Sequence, residues 1–209
     1  MNVLRRVVIA AVLVMGTSLS TSASAQNIVD EWADVKTPPA PELKPVTIDP
    51  KETALLILDF TKQNCGQRPR CMASLPKMQR LLTQAREKGV HVVYSLARKS
   101  VVEDILPELA LRAGEPFVSA GADKYLNTDL EKILKEKGVK TVIVVGTAAE
   151  GAVLYTASQS SLRGFKVIVP VDGMSSSTTY PEQYTAWHLA NASRFGQQVT
   201  LTKTELIGY

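Results

Sequence analysis

Cysteine and histidine are both scarce here, with two of each among 209 residues. Two cysteines cannot furnish the ligand sets of a zinc ribbon or an iron–sulfur protein, and His91 and His188 lie too far apart to share a ligand motif. No metal site and no cofactor are therefore expected. Charge of one sign is also lacking: a formal net charge of +4 is no basic footprint for nucleic acid. No G-x-G-x-x-G turn follows a strand, because Gly146-Thr-Ala-Ala-Glu-Gly151 lacks the middle glycine, and no P-loop is present, which excludes nucleotide sites of those two kinds. What remains, 45% apolar and 21% charged residues, is the composition of an ordinary globular chain with one main domain.

The N-terminus is read separately. Arg5 and Arg6 precede a nine-residue apolar run, Val7 to Met15, and small polar residues lead to Ala23-Ser24-Ala25. A membrane span needs roughly 20 apolar residues, so residues 1–25 read as a cleaved secretory signal peptide rather than an anchor. Its removal takes the two arginines with it and lowers the net charge to +2. The expected location is periplasmic or secreted, with no membrane partner after cleavage. Export also gives the segment Cys65-Gly-Gln-Arg-Pro-Arg-Cys71 two readings, a local disulfide, which an oxidising compartment favours, or two reduced thiols.

Residues 26–50 hold five prolines, at 38, 39, 41, 45 and 50, without apolar periodicity, and should run extended over the surface. From residue 51 to 209 strand and helix patterns alternate. Ala54–Leu58 is a continuous apolar run ending at Asp59, as in a strand buried on both faces. A helix over Leu75–Lys88 stops at Gly89; Val90–Tyr94 is a second strand, and Phe117-Val118 belongs to a short third one. Thr128 is placed to cap a helix over Asp129–Lys137, with Glu131 at the capping-box position. Then come a strand at Thr141–Val145, a helix from Glu150 to Arg163, a strand at Val167–Val171, a helix from Pro181 to Phe195 and a strand at Val199–Leu201. Six strands alternating with helices specify an α/β three-layer sandwich: a mostly parallel, Rossmann-like sheet with helices on both faces. Ligands bind such sheets beyond the carboxyl ends of the strands, which directs attention to Asp59, the segment after Tyr94, Gly146–Val153 and Asp172.

Three segments resemble the isochorismatase-like hydrolase superfamily, which includes nicotinamidases and other cysteine hydrolases. They are Thr53-Ala-Leu-Leu-Ile-Leu-Asp59; Asp123-Lys-Tyr-Leu-Asn-Thr-Asp-Leu130 running into Val142–Gly146; and Gly146-Thr-Ala-Ala-Glu-Gly-Ala-Val153 followed by Ala157, Gly164–Val167 and Val169–Asp172. The resemblance implies that Asp59 is the family's catalytic aspartate. It also implies that Ala148 and Ala152 supply the oxyanion-binding N–H groups, and that Thr147 and Ala148 flank the family's non-proline cis peptide bond. Two departures follow from the same alignment of motifs. The nucleophilic cysteine position holds Ala152, and the lysine position holds Ser119, with Lys124 five residues later. Where nicotinamidases carry an Asp-x-His metal motif, this chain reads Ser95-Leu-Ala-Arg98, so the resemblance implies no metal.

Each residue has a plainer alternative. Asp59 is either a catalytic carboxylate or a loop cap, and a carboxylate at that strand end is expected to gain little structurally. Lys124 either enters the site or forms a solvated pair with Asp123. Glu150 is read as support for a helix N-terminus, Asp172 as a turn cap, and His188 as packing or surface. Three functions remain open. The first is an exported hydrolase acting on a small carbonyl, amide or vinyl-ether compound with Asp59 as general acid/base and no cysteine nucleophile. The second is a catalytically inactive small-molecule-binding protein of the same fold. The third relocates the nucleophile to Cys65, which requires a free thiol. The partner in each case is a small molecule, with no nucleic acid, and a homo-oligomer is left open.

Overall fold

The computed structural model describes residues 27–194 and 196–209, so the expected signal segment lies outside it. Contacts divide the chain into two units, residues 1–37 and residues 38–209. In the first, the Asn27 side chain accepts the Val29 N–H at 2.9 Å and caps a one-turn helix, Ile28–Glu31, which continues as a 3-10 turn, Trp32–Asp34. The extended chain expected from residue 26 is therefore replaced by helix over this stretch, because the cap satisfies an N–H that would otherwise be left open.

The second unit is built on a parallel sheet. Its strands are β1 (Thr53–Leu58), β2 (His91–Ala97), β3 (Phe117–Ala120), β4 (Thr141–Thr147), β5 (Lys166–Pro170) and β6 (Val199–Thr202). They lie in the order β3-β2-β1-β4-β5-β6, every pair parallel. A seventh strand of two residues, Met174–Ser175, joins β4 beyond the point where β5 leaves it. Pro170 ends β5, since it has no N–H for the ladder, and the 3-10 turn Val171–Gly173 carries the chain back to the sheet. Outside the main sheet, Val46–Thr47 pairs with Ile207–Gly208 and anchors the end of the proline-rich stretch.

The helices are α1 (Pro69–Glu87), α2 (Leu130–Glu136), α3 (Leu154–Leu162) and α4 (Thr179–Asn191). Alternation along the central strands divides the core in two. Leu55 and Ile57 of β1, with Ile143 and Val145 of β4, pack against Leu75, Met78, Leu81 and Leu82 of α1. Ala54, Leu56, Val142 and Val144 face the other side, against Leu134 of α2, Ala157 of α3 and Leu189 of α4. Burial on both faces explains why these strands read as unbroken apolar runs.

Helix boundaries depart from expectation where proline or strain intervenes. α1 begins six residues before Leu75, because Pro69 in its first turn loses no hydrogen bond, and it continues through Pro76. The helix expected from Glu150 opens as a π-turn, Ala149–Val153, before α3. α2 starts at Leu130 with Asp129 before it, although Thr128 Oγ1 still accepts the Leu130 N–H at 3.3 Å.

β1 and β4 are neighbours from which the chain runs in opposite directions across the sheet, which makes their carboxyl ends the topological switch point. Gly146 lets those ends close. A Cβ at residue 146 would stand 2.5 Å from both Cβ and the carbonyl oxygen of Leu58, so only glycine fits without backbone movement.

Candidate active site

β1 delivers Asp59 to the switch point in a left-handed conformation, φ 58°, with its N–H donating to the Ser95 carbonyl at 3.1 Å. The side chain is buried, 6% exposed for the residue as a whole. Ser95 stands opposite Leu58 in the ladder with β2, and its hydroxyl donates to Asp59 Oδ1 at 3.0 Å. Lys124 Nζ reaches both carboxylate oxygens, at 2.9 and 2.7 Å, from a residue with no solvent exposure. Lys124 is therefore paired with Asp59 rather than solvated beside Asp123. Ser119, where the family motif places a lysine, is exposed on β3.

A buried carboxylate beside one ammonium is under two opposed influences. Burial disfavours the ionised form and is the larger, so the Asp59 pKa stands above its ordinary 3.8 even though Lys124, the Ser95 hydroxyl and Arg68 all pull it down. The carboxyl group faces a cavity of about 280 Å³ lined also by Asn64, Arg68, Arg98, Thr147, Ala148 and Ala152. The Thr147–Ala148 peptide bond is cis. Ala148 precedes the π-turn, and Ala152, within it, is 4% exposed. Asp59, Lys124, Ala148 and Ala152 thus converge. Larger clefts exist, one of about 580 Å³ between the proline-rich segment and the end of α4, but they lie away from this buried ion pair.

Cys65 and Cys71 form a disulfide, both fully buried. The relocated-nucleophile reading fails on this bond, because a sulfur in a disulfide is not a thiolate. The expectation that Asp59 gains little structurally also fails: it is the counter-ion of a buried lysine. Asp172 stands apart, accepting from Thr204 N–H and Oγ1 at 2.9 and 3.0 Å and from Lys77 Nζ at 3.0 Å, so it ties β5 to the C-terminal loop. Glu150 gives its turn no side-chain cap. His188 contacts the Tyr184 ring on α4 and does not line the cavity.

Sequence reasoning missed Arg68, Arg98 and Asn64 as members of the cavity and Ser95 as a hydrogen-bond partner of Asp59. Ser95 was accessible in principle, since strand-end positions on β2 face the same switch point as Asp59. Arg68 was not, because its approach depends on the fold of the disulfide loop.

The isochorismatase domain family matches this chain over residues 53–203. The chain belongs to the isochorismatase family. It is 28% identical over 144 residues to a secreted isochorismatase effector, Isc1, of Verticillium dahliae, an overlap covering 62% of this chain and 76% of the relative. Among solved structures, a cysteine hydrolase from Pseudomonas syringae pv. phaseolicola superposes with a TM-score of 0.68 at 20% identity, covering 79% of this chain and 94% of that one. N-carbamoylsarcosine amidase from Thermoplasma acidophilum follows at 0.64 and 19% identity, covering 74% and 97%. At these identities the two structures establish a shared fold, in keeping with the α/β architecture expected from the strand and helix pattern.

Proposed function

We propose that this protein is an exported hydrolase of the isochorismatase family that acts on a small carbonyl, amide or vinyl-ether compound without a cysteine nucleophile. Asp59 is its general acid and base. The observation that carries this reading is a buried carboxyl group of raised pKa facing a ligand-sized cavity from which any thiol is missing. Ala152 stands where the family resemblance places the nucleophile, and its methyl group cannot attack a carbonyl. Water is then the nucleophile. For a vinyl ether, protonated Asp59 gives its proton to the carbon of the double bond remote from oxygen. Water adds to the oxocarbenium carbon, Asp59 takes back a proton, and the hemiacetal or hemiketal collapses to alcohol and carbonyl. Lys124 holds the carboxyl group in place, and the N–H groups of Ala148 and Ala152 offer donors for a developing oxyanion. The secreted relative supports export.

Turnover of a panel of small amides and vinyl ethers by the wild type, lost in Asp59→Asn while ligand binding persists, is the expected result. A second reading, a binding protein that catalyses nothing, is favoured by one feature: Lys124 and Ser95 already occupy Asp59 with three hydrogen bonds. Binding without turnover by the wild type would establish it.

A further inference from the structure

The disulfide closes the loop from Cys65 to Cys71, and Arg68 sits at its centre. Its backbone is fixed from both sides. Arg68 N–H donates to the Cys65 carbonyl at 2.8 Å, Cys65 N–H donates to the Thr61 carbonyl at 2.8 Å, and Arg68 is the residue that precedes the first turn of α1, its carbonyl accepting the Met72 N–H at 3.0 Å. The guanidinium is thereby carried across the end of the sheet, where Nη1 donates to the Asn64 carbonyl and to Thr147 Oγ1, each at 3.3 Å. Both acceptors are uncharged. Its charge acts on Asp59, but that carboxyl group is already held by Lys124 with two short hydrogen bonds.

Arg98 lines the same cavity from the carboxyl end of β2, its Nε close to Gly121. It makes no hydrogen bond or ion pair among the described residues. The cavity lining therefore carries one carboxylate, already paired with the buried Lys124 behind it, against two guanidiniums left without an anionic partner of their own. An excess of fixed positive charge around a small concave space recruits an anion, and a planar guanidinium matches a carboxylate in shape and donor spacing.

We propose that the disulfide-closed loop presents Arg68 as the anion-recognising residue of this cavity, with Arg98 as its companion, so that the ligand processed at Asp59 carries a carboxylate group. The inference rests on the reading of this cavity as the substrate site. Asp59 selects the reaction and Arg68 selects the substrate's charge. The disulfide acts as a positioning device, since an arginine side chain has many rotamers and the loop leaves its backbone one place from which to reach Thr147. The fully buried sulfurs fit a permanent staple.

Calorimetric titration with benzoate and with benzamide, its neutral analogue of the same shape, tests the proposal by binding rather than turnover, so the hydrolase reading can fail without it. The wild type is expected to bind benzoate at least about tenfold more tightly than benzamide, as the loss of a hydrogen bond to a charged group requires. Arg68→Gln should abolish that preference by weakening benzoate and leaving benzamide unchanged. Arg98→Gln should reduce it in part, and the Cys65→Ser/Cys71→Ser double variant should lose it with Arg68 still present. Equal affinity for the two ligands in the wild type, no binding of either, or an undiminished preference in Arg68→Gln overturns the proposal. Should the double serine variant fail to fold, Arg68→Gln in the disulfide-bonded protein decides alone.

Discussion

Lys124 Nζ lies 2.7 Å from Asp59 Oδ2, joining two residues 65 positions apart in the chain, and neither end of the pair has appreciable contact with solvent. The ammonium is the more deeply placed of the two, and Asp59 is the group that opens onto the cavity. An ion pair so placed serves two purposes: it neutralises a buried lysine, and it holds a carboxyl group of raised pKa where a ligand can meet it.

Removing one member of a buried pair leaves the other uncompensated. Lys124→Met should destabilise the protein by about 3–5 kcal/mol, whereas adding Asp59→Leu to it should recover much of the loss, because an apolar pair leaves no orphan charge. Urea denaturation of both singles and the double variant measures this. A double variant less stable than either single would show that the pair is not the coupled unit described.

The raised pKa of Asp59 gives a sign for the pH dependence of catalysis. A general acid works in its protonated form, which is populated below its pKa and lost above it, and that pKa lies above 3.8. kcat/KM, measured across pH in the wild type, should therefore fall as pH rises through the Asp59 pKa. A rate that climbs with pH over the same range would assign Asp59 the role of base alone.

Asp172 provides the opposite case. Burial works to raise its pKa, but the hydrogen bonds from Thr204 and Lys77 outweigh it and leave the value below 3.8. The unfolded chain then takes up the proton more readily than the native one, so the carboxylate's stabilising contribution is present above the unfolded pKa and is lost as pH falls through the folded one. The stability difference between wild type and Asp172→Asn should be constant near neutrality and shrink below about pH 4. Turnover in Asp172→Asn should persist at neutral pH, in contrast to Asp59→Asn.

Ala152→Cys places a thiol in the cavity, in the turn that opens α3 and in a lining that also holds the guanidiniums of Arg68 and Arg98. That setting favours the thiolate. The variant should react with iodoacetamide at neutral pH faster than free cysteine does, with little change in stability, since only one heavy atom is added at a position that lines the cavity. Mass spectrometry of the timed reaction reads the outcome, and an inert thiol in a folded variant would mean that the cavity does not admit even this small reagent.

The central strands were the most legible in the sequence, because a strand buried on both faces must be apolar throughout, so Ala54–Leu58 and Thr141–Val145 announce themselves without reference to anything distant, whereas the edge strand Phe117–Ala120, exposed at alternate residues, shows only a short signal. The family motifs were legible likewise, being contiguous. Helix ends were less so. Pro76 argues locally against a helix that α1's packing against Met78 and Leu81 nevertheless sustains, and the π-turn at Ala149–Val153 has no periodic signature of its own.

The chemistry of the site divides along the same line. That Asp59 ends a central strand, that Ala152 offers no nucleophile and that Cys65 and Cys71 are near enough to join are matters of local order, and the sequence by itself determined them. Whether Lys124 meets solvent or carboxylate, and whether Arg68 points outward or over the sheet, depends on how α1, the disulfide loop and the segment after β3 pack around the ends of β1 and β4. Only the tertiary structure decided those, because burial and electrostatic pairing are properties of distances between residues that the chain keeps 65 or 79 positions apart.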